Sequence, residues 1–222
     1  MEWERHKANW PNSNYSVFVE APPHRWHVQQ AGQGPSLLLL HGTGASTHSW
    51  QGLFQLFCKE FSVTAIDLPG HGFTRVGTKQ RSSLTNMTSD IIALCKTHKI
   101  NPDYIIGHSA GAAIALEMSK TLSLKGIIGI NAALSKFSGI ASWAFPMIAK
   151  IIALNPFIPS FLARLGRNSV RVEKLMEETG SKLSDIQLSH YRILFQVRYH
   201  VEGALLMMSQ LNLDKLFLQH DL

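Results

Sequence analysis

The feature that most constrains this chain is an alternation. Four short apolar runs, Leu37–Leu40, Phe61–Ile66, Tyr104–Ile106 and Gly126–Ile130, are separated by stretches with helical spacing at Ser49–Phe57, Met87–His98 and Ala112–Leu122. Such runs are too short for helices, and turn residues bound them, so they read as strands buried on both faces. Strand, helix, strand, helix in this order specifies a mostly parallel sheet with right-handed crossovers and helices on its faces. Upstream, Arg25–Gln30 alternates bulky and polar residues as an edge strand does. The residues before it are polar and end at Pro22-Pro23, which reads as an N-terminal extension over 1–24.

The pattern changes after Asn131. From Ala132 to Leu218 the text is helix or loop, with separate helices expected over Val170–Thr179, Asp185–Val197 and Val201–Leu211. The expected organisation is therefore an α/β core over 25–135, with a helical cap and the start of a further C-terminal core section over 136–222. Ile140–Leu165 is very apolar, but Lys150 falls centrally and three prolines interrupt it. A membrane span needs about 20 uninterrupted apolar residues. Cap helices over an apolar pocket are the leading reading, with an interfacial membrane contact second.

Composition excludes several classes. Apolar residues make up 45% and charged residues 16% of 222 positions, which rules out whole-chain disorder. Two cysteines, Cys58 and Cys95, rule out a disulfide-dense module and read as buried thiols in a reducing compartment. The N-terminus lacks the apolar core of a secretory signal, so a cytoplasmic location is expected, with peripheral membrane contact only under the second reading of Ile140–Leu165. The net charge of +6 is scattered and shows no nucleic-acid motif. Neither cysteine has a CxxC partner, and no metal or cofactor is expected.

Gly107-His108-Ser109-Ala110-Gly111 matches G-x-S-x-G, with a buried strand before it and a small-residue helix after it. On a tight strand-to-helix turn Ser109 would point its hydroxyl into a cleft. Gly107 and Gly111 remove side chains that would clash across the turn. The alternative is a serine that caps the helix. His41-Gly42-Thr43-Gly44 follows the first buried strand. Its Thr43 N–H, with the N–H of Ala110, would form an oxyanion hole, and Gly42 and Gly44 would allow close backbone approach. His41, His71 and His108 read as loop-bracing or outward-pointing residues rather than bases. Asp67, in Asp67-Leu68-Pro69-Gly70-His71-Gly72, precedes the serine and reads as a loop brace rather than a catalytic acid.

Together these three motifs resemble the α/β-hydrolase superfamily. More narrowly, the chain resembles the magnesium chelatase accessory proteins of bacteriochlorophyll biosynthesis. The narrower likeness is carried by Trp26-His27-Val28-Gln29, the run from Leu39 to Trp50, Asn131-Ala132-Ala133-Leu134, Glu178-Thr179-Gly180-Ser181 and Gly203–Met208. The resemblance implies a photosynthesis-related role beside the chelatase that inserts magnesium into protoporphyrin IX. It also implies a fold that continues past the cap with strands carrying the acid and histidine of a triad. That section is expected to be absent here, giving a C-terminally truncated α/β-hydrolase fold. Asn131 stands where a shifted acid would sit, and His190, His200 and His220 lack a strand-end setting. A fragment and a natural short form both stay open. A sheet ending on its fourth long strand leaves an exposed apolar edge, which favours the fragment.

Three functions follow as expectations. One is an accessory protein acting with magnesium chelatase subunits. One is a serine esterase on a hydrophobic ester, with Ser109 as nucleophile but little turnover in this chain because a lone serine hydroxyl is weak. One is a porphyrin carrier, whose apolar cap residues Trp143, Phe145, Ile151, Ile152, Phe157 and Phe161 would be rimmed by Arg164, Arg167 or Arg171.

Overall fold

A computed structural model describes residues 1–78, 81–132, 155 and 157–211. Among the described residues six strands form one sheet: β1 (Ser16–Ala21), β2 (His24–Ala31), β3 (Ser36–Leu40), β4 (Ser62–Ile66), β5 (Tyr104–His108) and β6 (Gly126–Ile130). Their order is β1-β2-β4-β3-β5-β6. β4, β3, β5 and β6 run parallel, while β1 and β2 join antiparallel at one side.

After the short α1 (Trp3–His6), three helices make the crossovers: α2 (Gln51–Phe57), α3 (Leu84–Thr97) and α4 (Ala110–Met118). α3 starts earlier than its apolar spacing suggests, because the Ser83 side chain caps it by accepting the Asn86 N–H. α5 (Ile158–Leu165), α6 (Ser169–Glu178), α7 (Asp185–Phe195) and α8 (Arg198–Gln210) follow β6. α7 opens on a capping box between Ser184 and Gln187.

Strand periodicity divides the core. Leu37 and Leu39 pack with Trp50 and Phe54 under α2. Leu38 and Leu40 pack with Met87, Ile91 and Leu94 of α3 and Ile114 of α4. Each strand residue points to the face opposite its neighbour, so four consecutive leucines fill both layers. Each fully buried side chain of this kind stabilises the fold by about 1.5–3 kcal/mol. Met207 of α8 joins the second layer, which ties the helical segment to the sheet.

Two features differ from the sequence expectation. The stretch read as an extension supplies β1, which pairs with β2 from Ser16↔Gln29 to Ala21↔His24, and it also supplies the buried Trp10. β2 is therefore not the edge strand, and its His24 and His27 are buried. β1 is half exposed with an irregular burial pattern, so its alternation is faint in the sequence. At the other side β6 ends the described sheet with Ile128 58% exposed, the apolar edge that was expected. Both thiols are unpaired; Cys95 is buried and Cys58 only half-buried.

Candidate active site

Register brings the site together. Leu40 lies opposite Ile66 on one side and Gly107 on the other. The segments beginning at His41, Asp67 and His108 therefore leave the sheet side by side at its carboxyl edge, where open α/β sheets bind ligands.

Ser109 sits between β5 and α4 with φ 52° and ψ −116°. A non-glycine residue there is strained by about 1–3 kcal/mol. The surroundings enforce it. The Ser109 N–H donates to the Ile130 carbonyl at 2.9 Å, and the Ser109 carbonyl accepts the Ala112 N–H at 3.0 Å. A Cβ on Gly107 would lie 2.4 Å from the Ala112 nitrogen, and one on Gly111 would lie 2.3 Å from the Leu40 carbonyl. Only glycine fits at either place. The Ser109 side chain makes no capping bond to α4, so the helix-cap reading does not describe it.

The loop after β3 lies against this turn. A Cβ on Gly42 would be 3.0 Å from both the Ser109 Cβ and His108 Nδ1. The Ala45 N–H donates to the Gly42 carbonyl at 3.1 Å and closes a four-residue turn. Gly44 holds φ 75° at its third position, where a type II turn requires glycine. His41 Nδ1–H donates to the same Gly42 carbonyl at 2.7 Å, and His41 Nε2 accepts the Leu68 N–H at 2.9 Å. A trans peptide points its C=O and N–H in opposite directions. Holding the Gly42 carbonyl therefore fixes the direction of the Thr43 N–H. Among the described residues, neither the Thr43 nor the Ala110 N–H has a hydrogen-bond partner. Thr43, His108 and Ser109 are half-exposed, while Gly42, Ala110 and Gly111 are buried.

Asp67 braces the site from beneath. One oxygen accepts the Thr47 N–H at 2.7 Å; the other accepts the Phe73 N–H at 2.8 Å and pairs with His27 Nδ1 at 2.7 Å. Burial alone would raise its pKa, but His27, His41 and the Phe73 N–H outweigh burial and hold the carboxyl well below the usual range. With every contact spent on the scaffold, Asp67 is a brace, as its place before the serine suggested.

The late histidines are also scaffold groups. His190 Nε2–H donates to the Asn9 carbonyl at 3.1 Å. His200 donates from Nε2 to the Gly44 carbonyl at 3.0 Å and accepts the Gly72 N–H at Nδ1 at 3.1 Å. Sequence reasoning missed this role of His200. The spacing His200-x-x-Gly203, with Gly203 pressed against Gly70, is the one local trace of it. His220 lies outside the described residues, as do Trp143, Phe145, Ile151 and Ile152 of the expected cap. Phe157 and Phe161 are 79% and 60% exposed, and Arg164, Arg167 and Arg171 are exposed too. No helix among the described residues is long and apolar enough to cross a membrane.

The chain is similar to known proteins. The model of the alpha/beta hydrolase family matches residues 37–201. The magnesium-chelatase 30 kDa subunit of Rhodobacter capsulatus is 38% identical over 211 residues, 94% of this chain and 74% of that protein. The pimeloyl-(acyl-carrier protein) methyl ester esterase of Nitrosospira multiformis is 31% identical over 94 residues, 42% of this chain and 36% of that one. An alpha/beta hydrolase fold protein from Burkholderia ambifaria superposes with a TM-score of 0.65 at 19% identity, covering 89% of this chain and 74% of that chain. From its strand order to its Ser109 turn, the chain belongs to the α/β-hydrolase family.

Proposed function

We propose that this protein is an α/β-hydrolase-type accessory protein of (bacterio)chlorophyll biosynthesis that acts alongside magnesium chelatase. The observation that carries this reading is the 38% identity with a magnesium-chelatase subunit, sustained over 94% of the chain. Its partners are the chelatase subunits and a hydrophobic small molecule, a porphyrin being the leading candidate. Its place is the cytoplasm, with peripheral membrane contact. The test is magnesium insertion into protoporphyrin IX by purified chelatase with and without this protein, together with co-purification of the two. Faster insertion or a stable complex supports the role; neither, at saturating protein, removes it.

A second reading is favoured by the strained backbone of Ser109, since such strain persists where a site uses it. In this reading Ser109 Oγ is the nucleophile for a hydrophobic ester, and the Thr43 and Ala110 N–H groups receive the oxyanion. Gly42, Gly107, His108 and Gly111 shape that site. Among the described residues no hydrogen bond joins the Ser109 hydroxyl to a carboxylate or imidazole, and a serine hydroxyl without such a base is a weak nucleophile. A fluorophosphonate probe, with Ser109→Ala as control, reads this directly. Porphyrin binding that survives Ser109→Ala, with no labelling of the wild type, would point to carriage instead.

A further inference from the structure

We infer that His200 is a positioning residue for the Gly42–Ala45 turn: from α8 it holds the Gly44 carbonyl and so sets the loop that faces Ser109. The inference rests on the reading of that loop as the oxyanion loop, because only then does its exact orientation bear on function.

The argument begins with hydrogen-bond direction. A carbonyl can only accept and an amide N–H can only donate. His200 meets the Gly44 carbonyl at Nε2 and the Gly72 N–H at Nδ1. The ring must therefore be neutral, with its proton on Nε2. A cationic ring would aim a second N–H at the Gly72 N–H and break that contact. The ring is fully buried, and burial pushes its pKa down to about 4, with His41 also lowering it and Asp67 opposing. Beside it stand the rings of His71, at 5.3 Å between centroids, and Phe195, at 6.2 Å. His71 lies in turn 5.3 Å from His41.

The turn itself explains why this carbonyl matters. The Gly44 carbonyl shares a peptide plane with the Ala45 N–H, which is the group that closes the turn onto Gly42. His200 grips that plane from one side, while His41 grips the Gly42 carbonyl from the other. The two peptides flanking Thr43–Gly44 are thus each held by an imidazole. His41 belongs to the loop itself. His200 comes from a helix 156 residues further along the chain.

α8 is a firm mount for this strut. The Tyr199 hydroxyl donates to the Thr74 carbonyl at 2.8 Å and accepts the Val76 N–H. Gly203 presses so closely on the same loop that a Cβ there would lie 2.1 Å from the Gly70 carbonyl. Residues 199, 200 and 203 share one helix face. All three fasten α8 to the loop after β4, and His200 extends that attachment to the loop after β3.

The test is NMR on the full chain labelled with ¹⁵N. Long-range ring correlations should show His200 neutral with its proton on Nε2 at neutral pH, and still neutral at about pH 5. A proton on Nδ1, or a cation at neutral pH, would overturn the inference. His200→Asn keeps an acceptor for Gly72 but is too short to reach Gly44. It should move the Thr43, Gly44 and Ala45 amide resonances by several linewidths. His200→Gln keeps a donor for Gly44 and should leave them near their wild-type positions. A folded His200→Asn protein with those three resonances unmoved would equally overturn it. If His200→Asn does not fold, His200→Gln decides: retained resonances support the strut, and displaced ones refute it. None of these readouts uses the reactivity of Ser109. An unreactive serine would therefore remove the hydrolytic reading without touching this result, and the reverse also holds.

Discussion

Gly42 and Ser109 meet so closely that one added methyl group on Gly42 would stand 3.0 Å from the Ser109 Cβ. Gly42→Ala must push either the loop after β3 or the serine turn aside. Overpacking of this kind costs about 1–3 kcal/mol. The urea midpoint should fall accordingly, and the Thr43 and Ala110 amide resonances should shift. An unchanged midpoint would mean that the two loops are not in contact.

Ser109 itself is held at φ 52° by its neighbours. Ser109→Gly releases strain of about 1–3 kcal/mol and adds about 0.5–1 kcal/mol of unfolded-chain entropy. The net expectation is a gain of about 1 kcal/mol in stability, with loss of any probe labelling. Chemical denaturation decides it; a clear loss of stability would show that the turn stores no strain.

Asp67 is buried with three hydrogen-bond partners on three segments. Asp67→Asn turns one acceptor into a donor facing an N–H and removes the charge opposite His27. Breaking a buried charged contact of this sort costs about 3–5 kcal/mol. The midpoint of unfolding should drop by that amount, or the variant should fail to accumulate in the soluble fraction. Near wild-type stability would contradict the bracing role.

Stability should also fall in mild acid. Burial lowers the pKa values of His41, His48, His71 and His200, the last from the ordinary 6.5 to about 4. Between those values the unfolded chain binds protons that the folded one refuses. Their contribution is therefore complete above about pH 6.5 and declines as pH falls below it; for His200 the loss runs down to about pH 4 and accounts for about 3 kcal/mol. Asp67, whose pKa is lowered, adds a second loss below its ordinary 3.8. Denaturant midpoints at about pH 7 and about pH 4.5 measure the first phase. His200→Gln should flatten it in part, and a midpoint that does not move would refute the buried neutral histidines.

What the sequence determined by itself was local. Short continuous apolar runs bounded by turn residues marked β3 to β6, and helical spacing marked the helices between them, because those signals lie in contiguous residues. Gly107-x-Ser109-x-Gly111 announced a cramped turn for the same reason: each glycine answers a clash within five residues or with the adjoining strand. β1 stayed hidden because its burial is irregular and Val17-Phe18-Val19 breaks the alternation, and its partner is found only by folding back through Pro22-Pro23. Asp67 was legible as a brace from its place before the serine, but its partners, and the whole role of His200, were decided by the tertiary structure. A carboxylate becomes a brace when the sheet brings Thr47, Phe73 and His27 around it. An imidazole in helical text becomes a strut when α8 lands on loops 128 and 156 residues away. Hydrogen-bond partners at such separations depend on which strand ends the sheet order sets side by side, and no spacing along the chain encodes that.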